Sequence, residues 1–273
     1  RVRSAKSDDS PPLVAPPHLK YMTGYGTGSL KALGTICNGS DAGGGPACWV
    51  THASEWLDLA GIIAAKQQFG VPSLYGDVDV WDGPEWHSAS GGPSPLLKSN
   101  WRSIVAQIGR DLRPLLKNQT VTGVFVGDEL VCTGVPLSNF SALVKALRAE
   151  LGSDAILYAN ECCGSIGACD SGRHCCCYES IPPELDLISE DCYSTPCALK
   201  GSYGCEHSGG KADKGWNVSW EWNRVKMHYK NDVYPRLHPH QRVMLVPGTF
   251  GYSMAGASDL DGANGTMLSL DEQ

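Results

Sequence analysis

Val121-Thr-Gly-Val-Phe-Val-Gly-Asp-Glu-Leu130 is an apolar, β-branched run that ends in two adjacent carboxylates, Asp128 and Glu129. The run predicts a buried strand from Val121 to Gly127. Burying an unpaired charge is costly, so a core strand has no structural use for acids at its end. An enzyme built on parallel strands does use them, because its chemistry lies at the carboxyl ends of the strands.

Composition limits the class of protein and its partners. The 273 residues fit one large α/β domain, and a hydrophobic fraction of 42% is enough for a sizeable core. The net charge of −7 and the isoelectric point near 5.6 argue against nucleic acid or an anionic membrane surface as a partner. No apolar run approaches the roughly 20 residues that a transmembrane helix needs.

Cysteines and glycosylation sequons together indicate the compartment. Twelve cysteines favour disulfides in a secreted chain or metal sites in a cytosolic one. Five Asn-X-Ser/Thr sequons favour the first alternative and predict a eukaryotic secretory route. The predicted glycosylation sites are Asn38, Asn118, Asn139, Asn217 and Asn264.

The amino-terminal segment has the composition of a leader. The chain opens Arg1-Val-Arg-Ser-Ala-Lys6 without a signal peptide, which we interpret as a mature or trimmed start. Residues 1–17 include four prolines and are predicted to be extended and poorly ordered. Residues 18–273 are predicted to form a single (β/α) barrel domain.

Short apolar runs alternate with amphipathic ones along the chain, which is typical of a βα series. The predicted strands are Leu19–Gly24, Cys48–His52, Ser73–Trp81, Val121–Gly127, Ala155–Glu161, Leu185–Asp191 and Arg242–Thr249. The predicted helices are Glu55–Phe69, Trp101–Lys117, a helix capped by Ser138 or Asn139 and ended by Gly152, and Trp216–Tyr234.

Seven strands with intervening helices predict a (β/α)8 TIM-type barrel that lacks its eighth strand. A parallel barrel with an open edge would expose unpaired backbone groups. We therefore expect the chain to be truncated at its carboxyl end. The alternative is an open sheet, if the first predicted strand is wrong.

Acidic residues end several of the predicted strands. The three pairs at the ends of strands four to six are Asp128-Glu129, Asn160-Glu161 and Glu190-Asp191, and strand three contributes Asp77 and Asp79. In a barrel these ends converge on one face. Glycosidic bond cleavage needs such a cluster, because one acid protonates the leaving oxygen and a second carboxylate acts as nucleophile or base. The acids of strands four to six are therefore the candidate catalytic groups.

Further residues near the same face are candidates for substrate binding. Aromatic side chains can stack on sugar rings, and polar ones can bind hydroxyl groups. The predicted substrate-binding residues are Asp77, Asp79, Trp81, Asn160, Tyr193 and Tyr252, and Trp86 is a further aromatic near this face. Taken singly, each acid is more often structural than catalytic: Asp128 could cap a turn, and Glu190 or Asp191 could face outward, since neighbours on a strand point oppositely.

An apolar fourth strand that ends in glutamate resembles the acid/base strand of TIM-barrel glycoside hydrolases. In the large clan of cellulases and mannanases this strand ends in Asn-Glu, whereas position 128 here is Asp. An Asp-Glu pair on this strand is similar to the β-hexosaminidases. That resemblance implies that Glu129 is the proton donor and that Asp128 orients the acetamido group of the substrate.

Two departures from these families concern the catalytic nucleophile. The cellulase-type clan places it on strand seven, where Val246-Pro-Gly-Thr-Phe-Gly-Tyr252 has no acid. The chitinase-type family needs aspartates two and four residues before the glutamate, and these positions are Gly127 and Phe125 here. We therefore expect the nucleophile to be Glu161, Glu190 or Asp191, or a group of the substrate itself. These departures leave the chain without an assignment to a specific family.

Nine of the twelve cysteines lie between Cys162 and Cys205, and they begin where the predicted strands end. The loop that starts at Cys162 has little apolar content, so disulfides would stabilise it by restricting its unfolded states. We expect disulfide-bonded loops to cover the face that carries the carboxylates at the strand ends. The sequence does not determine which cysteines pair. The alternative is a zinc site formed by His174 with Cys175 to Cys177, with or without His207 and Cys205, but the spacing fits no finger or ribbon pattern.

The leading hypothesis is a secreted glycoside hydrolase that cleaves O-glycosidic bonds of a poly- or oligosaccharide. Glu129 would be its catalytic acid/base, and its binding partner would be a carbohydrate. Such an enzyme would need neither a cofactor nor a metal. A second hypothesis is a non-catalytic extracellular barrel protein with a glycan-binding or structural role, since fold does not imply function. A third is a metal-dependent hydrolase that uses the aspartates of strand three.

Overall fold

The computed structural model describes nine segments of the chain: residues 30–37, 39–40, 46–47, 52–53, 57–82, 96–162, 165–167, 178–191 and 226–244. The helices are α1 (Leu30–Cys37), α2 (Leu59–Phe69), α3 (Trp101–Lys117) and α4 (Leu137–Leu151), followed by a π-helix (Tyr229–Val233) and a 3-10 turn (Tyr234–Arg236). The strands are β1 (Gly39–Ser40), β2 (Pro46–Ala47), β3 (Ser73–Tyr75), β4 (Trp81–Asp82), β5 (Leu96–Leu97), β6 (Val121–Asp128), β7 (Ile156–Cys162), β8 (Leu187–Asp191) and β9 (Arg242–Val243).

A five-stranded parallel sheet organises the described part of the molecule. Its strand order is β3-β6-β7-β8-β9, so each strand pairs with the next parallel strand along the chain. A parallel bridge from Ala53 to Ser73 continues the order toward the amino terminus. Parallel neighbours need crossover connections, and α3 and α4 supply them before β6 and β7. The chain therefore has an α/β fold, as the alternating pattern predicts.

The helices form where apolar residues recur at helical spacing. In α3, Trp101, Val105, Ile108 and Leu112 are buried along one stripe, and the helix continues past Pro114 to the predicted end. In α4, the predicted cap by Ser138 or Asn139 is wrong, because the helix begins at Leu137, directly after Pro136. Proline has a fixed φ close to helical values and can therefore precede a first turn without a side-chain cap.

Two further predictions of secondary structure need correction. Strand three was expected to span Ser73–Trp81, but β3 ends at Tyr75, and Trp81 lies in β4, which pairs antiparallel with β5. Helix α1 was not predicted at all. The predicted helix Trp216–Tyr234 and strand Arg242–Thr249 lie partly outside the described residues, as does Cys48–His52, and Leu19–Gly24 lies wholly outside them.

Apolar clusters cover both faces of the sheet. The larger one fills the space between the sheet and the helices, and includes Val124 and Val126 of β6 with Phe140 and Leu147 of α4. The smaller one lies on the opposite face, with four buried members from four adjacent strands: Leu74, Phe125, Tyr158 and Leu187. We call this opposite face the inner face and the helix-covered face the outer face. A sheet that is apolar on both faces is what a parallel α/β protein requires.

Closure of the sheet into a barrel stays a prediction, because five parallel strands are described and a barrel of this type has eight. The assignment of residues 1–17 to a leader also stays a prediction, since they lie outside the described segments. No helix in those segments is both long and apolar enough to cross a membrane.

Gly123 provides a test of the β6–β7 contact. A methyl group at this position would collide with the backbone carbonyl oxygen of Ile156, which cannot move without breaking the sheet. We expect Gly123→Ala to lower the free energy of unfolding by about 3 kcal/mol or to prevent folding. Gly70→Ala is the control, because Gly70 has a left-handed φ of 72° but open space around it, and it should cost about 1 kcal/mol. Urea denaturation of both variants checks the difference, and equal costs would contradict the close approach.

Candidate functional site

The carboxyl ends of β6, β7 and β8 lie side by side at one edge of the sheet. In the backbone register, Asp128 pairs with Asn160, and Asn160 pairs in turn with Ser189. The next residues along, Glu161 and Glu190, also pair with each other. The parallel register therefore brings together the polar strand ends that the sequence predicts to converge.

A β-bulge in β6 determines which face carries Asp128. The register shifts between Phe125, which is opposite Tyr158, and Gly127, which is opposite Ala159. Without the extra residue, strict alternation would place Asp128 on the face opposite to Phe125. With it, Asp128 joins Phe125 on the inner face, next to Asn160.

Hydrogen bonds connect the polar side chains of the inner face into a row. Asn160 Nδ2 donates to Asp128 Oδ1 at 2.7 Å, and Ser189 Oγ donates to Asn160 Oδ1. The Tyr158 hydroxyl lies 2.7 Å from Ser189 Oγ. Asn160 and Ser189 are buried, whereas Asp128 is partly exposed. We call these four residues the inner polar row.

Glu129 follows the strand in a left-handed backbone conformation, with φ of 50°. Its N–H donates to the Asn160 carbonyl oxygen at 2.8 Å, so the backbone remains attached to β7 after the strand ends. The Glu129 side chain is half-buried. One of its carboxylate oxygens and the sulfurs of Cys132 and Cys162 all lie within 4.8 Å of one another.

A disulfide between Cys132 and Cys162 joins the loop after β6 to the end of β7, with a Cα–Cα distance of 5.9 Å. Cys37 is also disulfide-bonded. The prediction that disulfides brace the loops beyond the strand ends is thus confirmed for the Cys132–Cys162 bond. Residues 168–177 and 192–225, which hold most of the cysteine cluster and His174, lie outside the described segments.

Glu129, Cys132 and Cys162 also form a group with the spacing of metal ligands. A metal-binding cysteine must be a thiolate, and both sulfurs here are bonded to each other. The oxidised protein therefore offers a metal only the Glu129 carboxylate from this group. The expectation of no metal stays a prediction.

Glu161 is buried on the outer face and accepts three hydrogen bonds. Its Oε1 accepts from Val131 N at 3.1 Å and from the Tyr178 hydroxyl at 2.6 Å, and its Oε2 accepts from Cys132 N at 3.1 Å. Burial raises the pKa of Glu161 to about 8, although these hydrogen bonds act in the opposite direction. The carboxyl group thus fixes the loop that carries Cys132.

Glu190 is also buried and holds two separate segments together. Its Oε1 accepts from Ile166 N at 2.8 Å, and its Oε2 lies 2.5 Å from His228 Nε2. His228 Nδ1 lies 3.0 Å from Asp232 Oδ2. Burial lowers the pKa of His228, but the carboxylates of Glu190 and Asp232 outweigh it and raise that pKa above its ordinary value.

Solvent access separates the acids into two pairs. Asp128 and Glu129 are partly exposed, whereas Glu161 and Glu190 are 0% and 1% exposed. A carboxylate that reacts with a substrate must be reached by it, which favours Asp128 and Glu129 as reactive groups. A catalytic role for Glu161 or Glu190 stays a prediction that only activity measurements test. The side chain of Asp191 is not described, but its backbone pairs with Cys162.

The other described residues predicted to bind substrate, Asp77, Asp79 and Trp81, are not members of the inner polar row. Asp77 and Asp79 are predicted to bind substrate, and Asp79 is exposed and forms an ion pair with Lys98. Trp81 is half-buried in the antiparallel β4–β5 pair, and Tyr193 and Tyr252 lie outside the described residues.

Among the predicted glycosylation sites, Asn118 is exposed and Asn139 is half-buried, and the other three, Asn38, Asn217 and Asn264, are not described. Roles in substrate binding and glycosylation stay predictions for all of them.

Several residues of the site were not found from the sequence. Ser189 and Tyr158 follow from Asn160 once the strands are aligned, because Tyr158 is two residues before it and Ser189 is its partner on β8. No sequence signal identifies Tyr178 or His228 as partners of buried acids, since each comes from a segment distant in the chain.

The fold and the site define an α/β protein whose parallel strands end in a row of polar and acidic groups. No family model and no curated protein sequence matches the chain significantly. Among solved structures, it is similar to the chitinase domain of the spore coat protein CotE from Clostridium difficile, with a TM-score of 0.43 and 12% identity over 91% of this chain and 70% of that one. It is also similar to a GH113 β-1,4-mannanase, with a TM-score of 0.39 and 12% identity over 80% of this chain and 61% of that one. Both scores are below 0.5, so neither likeness assigns a function.

The pKa of Glu161 predicts how stability depends on pH. The folded value of about 8 is above the ordinary value of 4.5, so between these values the folded state binds more protons than the unfolded state. The contribution of this group is therefore fully present below pH 4.5 and is lost as pH rises through 8. We expect the free energy of unfolding to fall by an amount on the order of 5 kcal/mol through this group as pH rises from 4.5 to 8.

Glu161→Gln removes the titrating group, so the variant should lose less stability than the wild type between about pH 5 and pH 8.5. The raised pKa of His228 adds a loss of stability in the same direction, but it is present in both proteins. Urea denaturation at the two pH values measures the difference. Glu179→Gln is the control, because Glu179 is exposed, and it should retain the wild-type slope. If the free energy of unfolding changed equally with pH in wild type and Glu161→Gln, this result would contradict the raised pKa of Glu161.

Proposed function

We propose that this chain is a secreted glycoside hydrolase that cleaves O-glycosidic bonds of a poly- or oligosaccharide, with Glu129 as the proton donor. The supporting observation is that Asp128 and Glu129 are the partly exposed acids at the carboxyl edge of the parallel sheet, among the side chains described there. Chemistry in parallel α/β proteins takes place at this edge. Five parallel strands in chain order are also consistent with a (β/α)8 barrel.

The burial of Glu161 and Glu190 limits which group can act as the nucleophile. A retaining glycosidase needs a second carboxyl group about 5–5.5 Å from the acid, and an inverting one needs it about 6.5–9.5 Å away. Two of the three candidates, Glu161 and Glu190, are closed to substrate and hold backbone N–H groups instead. The side chain of the third, Asp191, is not described. We therefore favour a substrate-assisted reaction, in which the substrate supplies the nucleophile.

In that reaction the substrate carries a 2-acetamido group. Its carbonyl oxygen attacks the anomeric carbon while Glu129 protonates the departing glycosidic oxygen, and the bond between the anomeric carbon and that oxygen breaks. Asp128 accepts a hydrogen bond from the acetamido N–H and so aims the carbonyl oxygen at the anomeric carbon. Glu129 then takes a proton from the water that opens the cyclic intermediate, which restores its protonated state.

A non-catalytic glycan-binding or structural role is the second candidate. The observation that favours it is the same burial of Glu161 and Glu190, because a binder needs no nucleophilic carboxylate from β7 or β8. A binder would need the inner polar row to hold a sugar but would not need Glu129 as an acid. The two candidates differ in whether Glu129 matters for turnover or only for affinity.

Replacing Glu129 decides between these candidates. We expect Glu129→Gln to lower kcat at least about 1000-fold on a chromogenic 2-acetamido glycoside, because glutamine cannot donate a proton to the leaving group. Binding of the matching oligosaccharide, measured by calorimetry, should change less than about tenfold.

Glu150→Gln is the matched control for this measurement. Glu150 lies in the last turn of α4, shortly before β7 begins, and so belongs to the edge of the sheet opposite to Glu129. Its carboxylate forms an ion pair with Arg113 that is partly exposed, and loss of such a pair costs at most about 1 kcal/mol. The control variant should therefore fold and retain full activity.

Two outcomes would contradict the proposal. Full activity of Glu129→Gln would exclude Glu129 as the acid. Binding without hydrolysis by the wild-type protein, over a panel of chromogenic glycosides with and without the acetamido group, would favour the non-catalytic role. Hydrolysis of glycosides that lack the acetamido group would retain the hydrolase but exclude the substrate-assisted reaction.

A further inference from the structure

The inner polar row has a single direction of hydrogen-bond donation. A carboxylate only accepts hydrogen bonds, so the Asn160 amide must present its NH2 group to Asp128. The amide oxygen of Asn160 then faces Ser189, whose hydroxyl must donate to it. The Ser189 oxygen is left to accept, and the Tyr158 hydroxyl at 2.7 Å is the donor.

The row begins in the buried part of the sheet. The Tyr158 ring is 0% exposed and packs against Phe125, with ring centroids 5.1 Å apart. Asn160 lies two residues along the same strand, and Ser189 is opposite Asn160 in the register of β7 with β8. Each donor is thus fixed by its strand, and the orientation of Asp128 depends on three adjacent strands rather than on a loop.

We propose that Tyr158 and Ser189 are positioning residues, which act through Asn160 to hold the Asp128 carboxylate in the orientation that receives the substrate. The proposal rests on the role assigned to Asp128 in the proposed function. Without the Ser189 hydroxyl, nothing in this row holds the Asn160 oxygen away from Asp128, and the amide can rotate. A rotated amide would turn its oxygen toward the carboxylate and displace it. Hydrogen bonds in such chains strengthen one another, so loss of one weakens the next.

One test of this row needs no enzyme activity. The side-chain amide protons of Asn160 can be followed by NMR, and their exchange with deuterated water reports how firmly the amide is held. We expect Ser189→Ala to accelerate this exchange about tenfold, the change that corresponds to one lost hydrogen bond. Tyr158→Phe keeps the ring packed against Phe125 and removes only the hydroxyl, and should accelerate exchange by about two- to threefold.

A second test measures the effect on turnover with the chromogenic glycoside that the wild type hydrolyses. Ser189→Ala should lower kcat about tenfold with less than a roughly threefold change in KM, because the orientation of Asp128 matters most when the nucleophile attacks. Ser189→Thr retains the hydroxyl and should restore both kcat and slow exchange. Ser153→Ala in an exposed turn and Tyr234→Phe on the surface are matched controls and should resemble the wild type.

The two tests separate the inference from the proposed function. Unchanged amide exchange in folded Ser189→Ala overturns the inference, whatever the activity. Faster exchange with unchanged kcat retains the hydrogen-bond row but overturns its positioning role. A wild-type protein that hydrolyses no glycoside overturns the proposed function and with it the positioning role, while the exchange rates still decide whether the row exists as described. If Ser189→Ala fails to fold, Tyr158→Phe alone decides, since wild-type exchange and kcat in that variant overturn the inference.

Discussion

The parallel pairing of β6 with β7 is the constraint on which the rest of the site depends. Because Gly123 has no side chain, the two strands approach closely at Ile156. Further along, the bulge between Phe125 and Gly127 turns Asp128 to the inner face. A slip of one residue would reverse this, because side chains alternate along a strand. One register between β6 and β7 therefore sets both the apolar packing between these strands and the face on which Asp128 lies.

The two faces of the sheet edge use acids differently. On the outer face, Glu161 and Glu190 are buried, and each accepts from backbone N–H groups of a segment beyond the strand ends. Removing a carboxylate from water is costly, and such donated hydrogen bonds offset part of that cost. These acids hold the loops in place. On the inner face, Asp128 accepts a hydrogen bond from Asn160 and is partly exposed.

Local patterns determined what could be predicted from the sequence. Helix α3 has the predicted bounds because its apolar stripe is regular. Strand β6 extends only one residue beyond the predicted end, because its run is rich in β-branched and aromatic residues. The face of each acid was not predictable, since Glu161 and Asn160 are adjacent and either could point inward. A glycine inside a strand often marks a bulge, but β6 has two, Gly123 and Gly127, and the sequence does not show which of them lies at it. Likewise, His228 becomes a partner of Glu190 only through contacts between segments distant in the chain.

The backbone of Glu129 has a strained, left-handed conformation that the surrounding loop holds in place. A left-handed conformation at a residue other than glycine costs on the order of 1–2 kcal/mol and persists only where the surroundings enforce it. Three groups do so here: the Asn160 carbonyl accepts from Glu129 N, Thr133 N donates to the Glu129 carbonyl, and the Cys132–Cys162 bond closes the loop. Glu161 adds hydrogen bonds to two further N–H groups of the same loop. A turn that needed only to change direction would be relieved of this strain by glycine. Gln119 has a similar φ of 58°, so the strained turn fixes where the Glu129 side chain lies and does not by itself assign its role.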